Sequence, residues 1–257
     1  QYYKVTVEHL LSHIETSVRK ITTEEIRTYL AEYQKNNKCS NVTVDNIRRN
    51  ISSFFSWLEE EDYILKSPMK RIHKIKTKTV VKSVITDEGI ERLRDNCKEI
   101  RDLAIIDLLY STGIRVGELV NLNVDDIDLE GRECIVYGKG DKERRVYFDA
   151  KAKVHLKKYI DHRKDNNSAL FVTLDAPHDR LKISGVEIRL RELGRRIDLE
   201  RIHPHKFRRT MATRAIDKGM PIEQVQKILG HSQIDTTMQY AMVNQNNVKT
   251  SHQKYMS

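Results

Sequence analysis

The chain has 257 residues, 39% hydrophobic and 32% charged, a balance that suits a globular protein of one large or two modest domains. Forty-six Lys and Arg against thirty-seven Asp and Glu leave a formal charge of +9, which points to a polyanionic partner, nucleic acid ahead of an anionic membrane surface. No run approaches the ~18 apolar residues of a membrane span, and the first residues lack the charged-then-apolar order of a signal peptide, so a cytoplasmic location is expected.

Opening on Gln1 instead of Met, the chain leaves room for a missing N-terminal piece. Residues 1–65 read as a small helical bundle. A tyrosine-rich helix is expected over residues 3–14. Thr22 and Glu25 then have capping-box spacing, ahead of an apolar face made by Ile26, Leu30 and Tyr33. In a third helix Val44, Ile47, Ile51, Phe54, Phe55 and Leu58 recur every three or four residues and define a buried stripe, with Arg48, Arg49 and Asn50 outside it. Residues 66–85 carry Lys66, Lys70, Arg71, Lys74, Lys76, Lys78 and Lys82 without one acid, and Pro68 breaks any helix. This stretch reads as a basic interdomain linker that straps along a phosphate backbone, the alternative being a solvated tether.

The second domain, residues 86–257, opens at a Thr86 N-cap followed by Asp87 and Glu88. Residues 103–109 are apolar nearly all round and predict a buried helix that stops at Gly113, with Arg115 on the next short helix. Residues 134–137 and 145–148 read as two strands joined by the glycine-rich segment 138–142, with Lys139 at its tip. A helix near residues 154–163 and a short strand at 170–172 follow, then helices to the end. The expected fold is mainly α with a small β-sheet, in two domains. Cys39, Cys97 and Cys134 are odd in number, widely spaced and free of a CxxC pair, so they read as ordinary thiols, with no disulfide framework and no zinc site.

His205 and Arg208 lie three apart at the start of a helix after Pro204, neighbours that suit a shared anion. His231 follows Gly230 at the tight end of another helix, and Tyr240 lies nine residues later, on or near a short helix begun by Asp235. Each alone is ordinary for its residue type. In order along the chain, however, the segments Ser111–Leu119 around Arg115, Gly138–Arg144 around Lys139, His205–Arg209, Leu229–Ser232 and Thr236–Tyr240 resemble the active-site segments of the tyrosine recombinases of the phage-integrase superfamily, in its Xer-like or transposon-integrase branches. The N-terminal bundle resembles that family's core-binding domain, and residues 86–257 its catalytic domain. Val146-Tyr147 stands where relatives often have Val-Pro, and nothing resembles the arm-binding domain of some phage integrases.

The resemblance implies six catalytic residues: Arg115, Lys139, His205, Arg208, His231 and Tyr240. Tyr240 would attack the scissile phosphate and conserve the phosphodiester as a phosphotyrosine. His205 would assist the proton transfer from Tyr240. Arg115 and Arg208 would grip the non-bridging oxygens as planar, permanently charged forks, and His231 would donate a further hydrogen bond. Lys139 would protonate the leaving 5′-oxygen. Glu118 would orient an arginine or histidine without touching phosphate.

No metal and no ATP are expected, because no carboxylate cluster accompanies these groups and the covalent bond stores the energy for resealing. The resemblance implies double-stranded DNA as the partner, bound by a homotetramer that passes through a Holliday junction, with room for an accessory protein; residues 246–256 read either as a terminal helix docking on a neighbouring protomer or as a frayed tail. Arg48, Arg49, Lys70, Arg71, Lys74, Lys76, Lys78 and Lys206 are candidate DNA contacts. The competing readings are a type IB topoisomerase-like or telomere-resolvase strand transferase, and a non-catalytic DNA-binding protein on the same fold.

Overall fold

In the computed structural model, residues 2–77, 83–138, 143–199 and 201–241 are described, and the chain divides into two compact units, residues 1–80 and 81–257. The first unit is built on α1 (Tyr2–His13), α2 (Thr23–Asn37) and α3 (Asn41–Glu60). The capping box forms as the spacing predicts: the Thr22 hydroxyl accepts from the Glu25 N–H at 3.3 Å, and the Glu25 carboxylate accepts from the Thr22 N–H at 2.7 Å. The α3 stripe packs inward through Val44, Ile47, Ile51, Phe55 and Leu58, against α1 and α2.

Two expectations about this unit change. Residues 66–77 are not a free strap. Pro68–Arg71 form a 3₁₀ turn whose Met69 is buried in the bundle core, Ile72 and Ile75 pack against that core, and the Thr23 hydroxyl donates to the Pro68 carbonyl at 2.7 Å. Apolar side chains at Met69, Ile72 and Ile75 thus override the impression of a solvated tether left by the lysines between them. Arg48 is drawn inward as well: its side chain is only 12% exposed and donates to Asp45 at 2.8 Å. Asp45 also accepts from the Ile75 N–H at 3.1 Å, so one buried carboxylate ties α3 to the packed stretch.

The second unit contains α4 (Asp87–Asp95), α5 (Ile100–Thr112), α6 (Val116–Asn121), α7 (Ala150–His162), α8 (Ile183–Arg196), α9 (Pro204–Asp217), α10 (Ile222–Leu229) and α11 (Asp235–Ala241). An antiparallel sheet in the order β1–β2–β3 joins them, from β1 (Ile127–Asp128), β2 (Glu133–Tyr137) and β3 (Glu143–Tyr147). The two-residue β1 is too short to leave a pattern in the sequence, and residues 170–172 make only isolated bridges, such as Val172 with Arg180.

Because α5 is apolar on nearly every side, it is the central helix and packs against both α7 and α9. Its two buried aspartates are charge-paired, Asp102 with Arg101 and Arg189 and Asp107 with Arg94, and Asp107 also meets the Nδ1 of His155. The inward face of the sheet sets Cys134 opposite Val146, both buried, and the thiols of Cys97 and Cys134 are pushed up to about 12 by burial, which makes them inert packing groups. Among the described residues no helix is long and apolar enough to cross a membrane.

Candidate active site

The site begins where α5 stops. Gly113 closes α5 with φ +63°, a left-handed turn that glycine adopts without strain, and a Cβ there would meet the flexible tip of Met211. The chain then turns directly into α6 with Arg115 at its N-cap. Glu118, one turn on, accepts from the Arg115 backbone N–H at 2.8 Å and from the Arg115 guanidinium at 2.8 Å. The local sequence therefore folds Arg115 against its own carboxylate, as expected for Glu118. Burial disfavours charge on Glu118, but hydrogen bonds from Arg144 and Arg115 outweigh it and hold the carboxyl below the usual range.

The second feature is the C-terminal end of α10, where the orphan carbonyls of a helix need partners. Each finds one. The Gln226 carbonyl accepts from the His231 N–H and that of Lys227 from the Gly230 N–H, at 3.2 and 3.1 Å. The next three, Ile228, Leu229 and Gly230, accept from Arg144, Arg208 and Arg115 at 2.9, 2.6 and 3.2 Å. Three consecutive carbonyls thus hold three different guanidiniums, and the negative end of the helix lies among their charges.

Arg208, on α9, is 3% exposed and also donates to the Gly113 carbonyl at 2.7 Å. Burial first, and then the charge of Arg115, lower its pKa to about 10, while Glu118 and Tyr240 act in the opposite sense; at neutral pH it is charged.

Gly230, with φ +64°, turns the chain so that His231 follows immediately. The His231 Nδ1 lies 2.8 Å from the hydroxyl of fully buried Thr237, on α11. The His231 ring stacks on the Tyr240 ring at 6.2 Å between centroids and 26° between planes. Burial, then the charges of Arg208, Arg115 and Arg144, lower the His231 pKa to about 4, so the ring is neutral at pH 7 and offers one N–H. Tyr240 packs against the small cluster formed by Ala212, Val225 and Leu229 and lies within the fields of Arg208 and Arg209.

Five of the residues singled out in the sequence, Arg115, Glu118, Arg208, His231 and Tyr240, are therefore brought together from α6, α9, the α10 end and α11. His205 is exposed on the first turn of α9, three residues ahead of Arg208, and Lys206 beside it is half-buried. Lys139, Lys78 and residues 246–256 lie outside the described residues. Of the candidate DNA contacts, Arg49, Lys70, Arg71, Lys74 and Lys76 are exposed, Lys70 also pairing with Glu59 and Arg49 with Asp45. Sequence reasoning missed Arg144 and Thr237. Both stand inside segments that carried the resemblance, yet their importance depends on partners elsewhere in the chain: Glu118 and Ile228 for Arg144, His231 for Thr237.

Both units have relatives among known proteins. Residues 83–247 match the phage integrase family, and residues 1–65 match the N-terminal SAM-like domain of phage integrases. The tyrosine recombinase XerC of Oceanobacillus iheyensis is 30% identical over 256 residues, covering 95% of this chain and 82% of its own length. XerC of Leptospira interrogans is 33% identical over 239 residues, covering 90% of this chain and 77% of its own length. Among solved structures, the Tn1549 transposon integrase in complex with transposon right end DNA shares the fold, with a TM-score of 0.80 at 19% identity over 100% of this chain and 94% of that one. With the match spanning the whole second unit but its first and last residues, the chain belongs to the phage integrase family and is a tyrosine site-specific recombinase.

Proposed function

We propose that the protein binds double-stranded DNA at a defined site and exchanges strands through a 3′-phosphotyrosyl bond on Tyr240. The observation that carries this reading is the convergence of Arg115, Arg208, His231 and Tyr240 around the end of α10. Its charge suits the chemistry. The guanidiniums of Arg115, Arg144 and Arg208, less the carboxylate of Glu118, leave two positive charges. A phosphodiester carries one negative charge and its five-coordinate transition state carries two, so the site favours the transition state over the ground state.

In the reaction, the Tyr240 oxygen forms a bond to the scissile phosphorus and loses its proton with assistance from His205, while the bond from phosphorus to the 5′-oxygen breaks and Lys139 protonates that leaving oxygen. Arg115 and Arg208 hold the non-bridging oxygens, and neutral His231, its Nδ1 accepting from the Thr237 hydroxyl, donates its one N–H from Nε2. Attack by the 5′-hydroxyl of a partner duplex reverses the steps and reseals the strand. Bond energy is conserved throughout, so no ATP is required, and the arginines supply the positive charge that a metal ion would otherwise bring.

Two duplexes exchange in this way when four protomers assemble through a Holliday junction, with residues 246–256 bridging neighbours. The exposed cations Arg49, Arg71, Lys74 and Lys76 add salt-dependent contacts to the DNA backbone.

The test is to incubate the protein, in EDTA and without ATP, with fragmented genomic DNA bearing nicks that trap cleavage, and to sequence what stays covalently attached. A defined sequence should be recovered with the wild-type chain, and none with Tyr240→Phe, which should bind the same DNA with unchanged affinity. Adducts that persist in Tyr240→Phe would remove Tyr240 as the nucleophile, and adducts that appear only with added Mg2+ would overturn the metal-free chemistry.

A further inference from the structure

Arg144 stands on β3 and differs from the other arginines of the site in how fully the protein itself occupies it. Its two terminal nitrogens each donate to one Glu118 oxygen at 2.7 Å, and its Nε donates to the Ile228 carbonyl at 2.9 Å. Burial does not set it apart, since Arg208 is only 3% exposed; what does is that Arg144 alone of the three engages a carboxylate with both terminal nitrogens and a carbonyl with Nε. Three of its five N–H donors are engaged, on both oxygens of a carboxylate and on a carbonyl, so the protein determines how the fork is oriented.

The two groups it holds are the ones that place everything else. Glu118 orients Arg115 through two hydrogen bonds. The Ile228 carbonyl is the first of the three that receive arginines, so fixing it fixes the neighbouring acceptors of Arg208 and Arg115 and the turn that carries His231. Gly230 admits this arrangement: a Cβ there would lie 3.1 Å from both Cδ and Nε of Arg144. A side chain at that position would press on the brace.

We infer that Arg144 is a positioning residue, which locks Arg115, Arg208 and His231 into one rigid unit by bridging Glu118 to the end of α10, without itself touching the phosphate. The inference rests on the strand-transfer reading above. It makes Arg144 a link through which the β-sheet, and not the helices alone, holds the reacting groups.

The experiment compares full-length wild type, Arg144→Met, Arg144→Lys, Glu118→Gln and the Arg144→Met/Glu118→Gln pair on the nicked duplex that the wild type selects. Arg144→Met should lower the cleavage rate by about 100-fold, the order expected for ~1 Å misplacement of catalytic groups, while DNA affinity stays within about twofold. Arg144→Lys should not restore the rate, since one ammonium cannot satisfy both Glu118 oxygens and the Ile228 carbonyl. The double variant should be little worse than the poorer single one, because both act through the same contact. Affinity that falls in step with the rate would make Arg144 a phosphate ligand and overturn the inference, as would full activity in either Arg144 variant.

If Arg144→Met does not fold, as judged by thermal unfolding, Arg144→Lys decides alone: a loss of tenfold or more supports the inference and an unchanged rate sinks it. Independently of activity, the Nε–H signals of Arg115 and Arg208 and the ring signals of His231 should shift or broaden in the DNA-free Arg144→Lys protein; unchanged NMR signals overturn the inference. A wild-type chain that forms no adduct, with these signals nevertheless perturbed, would instead count against the strand-transfer reading.

Discussion

The arginines of the second unit and the cations of the first answer differently to their surroundings. Around the end of α10, Arg144 and Arg208 are mostly buried, and their hydrogen bonds go to carbonyls or to Glu118. In the first unit, Arg71, Lys74 and Lys76 are exposed on a stretch whose apolar residues are packed into the bundle. Burial makes a cation directional, because the fold must supply its partners before it can leave water. Exposure leaves a cation long-ranged, screened and tolerant of position. On the proposed function, the first arrangement suits bond making at one phosphorus and the second affinity for many phosphates.

Substitutions in the two sets should therefore fail in different ways. The largest effect belongs to the site: Arg208→Met should reduce cleavage by roughly 1,000-fold, the scale of losing one preorganised donor to transition-state charge, with DNA binding nearly retained. Equal losses in rate and affinity in single-turnover assays would erase the distinction. A smaller effect is expected from neutralising Arg71, Lys74 and Lys76 together. Binding should weaken, and the slope of log affinity against log salt should become shallower by roughly one for each phosphate that is no longer neutralised, while the cleavage rate of DNA already bound is unchanged. A slope that stays the same would show that these side chains do not meet the backbone.

The smallest effect concerns His231. Its folded pKa of about 4 lies below the ordinary 6.5, so between those values the unfolded chain binds the extra proton. The stability contributed by keeping this ring neutral is complete above pH 6.5 and is lost progressively as the pH falls toward 4. Unfolding midpoints measured across that window should fall less steeply in His231→Gln than in wild type; parallel curves would mean that the ring is not held neutral.

Much of the arrangement was legible in order along the chain. The capping box at Thr22, the α3 stripe, the glycine stop at Gly113 and the pairing of Arg115 with Glu118 one turn later are all local, because each depends on residues within a turn or two of one another. The segments around Arg115, His205, His231 and Tyr240 were recognisable by their resemblance, in order along the chain, to the family's active-site segments. Arg48 and residues 66–77 were read less well, since their sequence is polar or basic while their positions are decided by Asp45, Glu59 and the bundle core.

What the sequence by itself determined is the set of helices, because helix periodicity, caps and glycine turns act over a few residues; the candidate side chains for the reaction came from the family resemblance. The tertiary structure alone decided how those side chains are held. The three carbonyls at the end of α10 and the carboxylate of Glu118 meet Arg115, Arg144 and Arg208 across separations of up to 115 residues, as in the bond from Arg115 to Gly230. No local pattern announces such partners. Buried charge and unpaired helix-end carbonyls each require a counterpart, and only the packed fold brings the two needs to the same place.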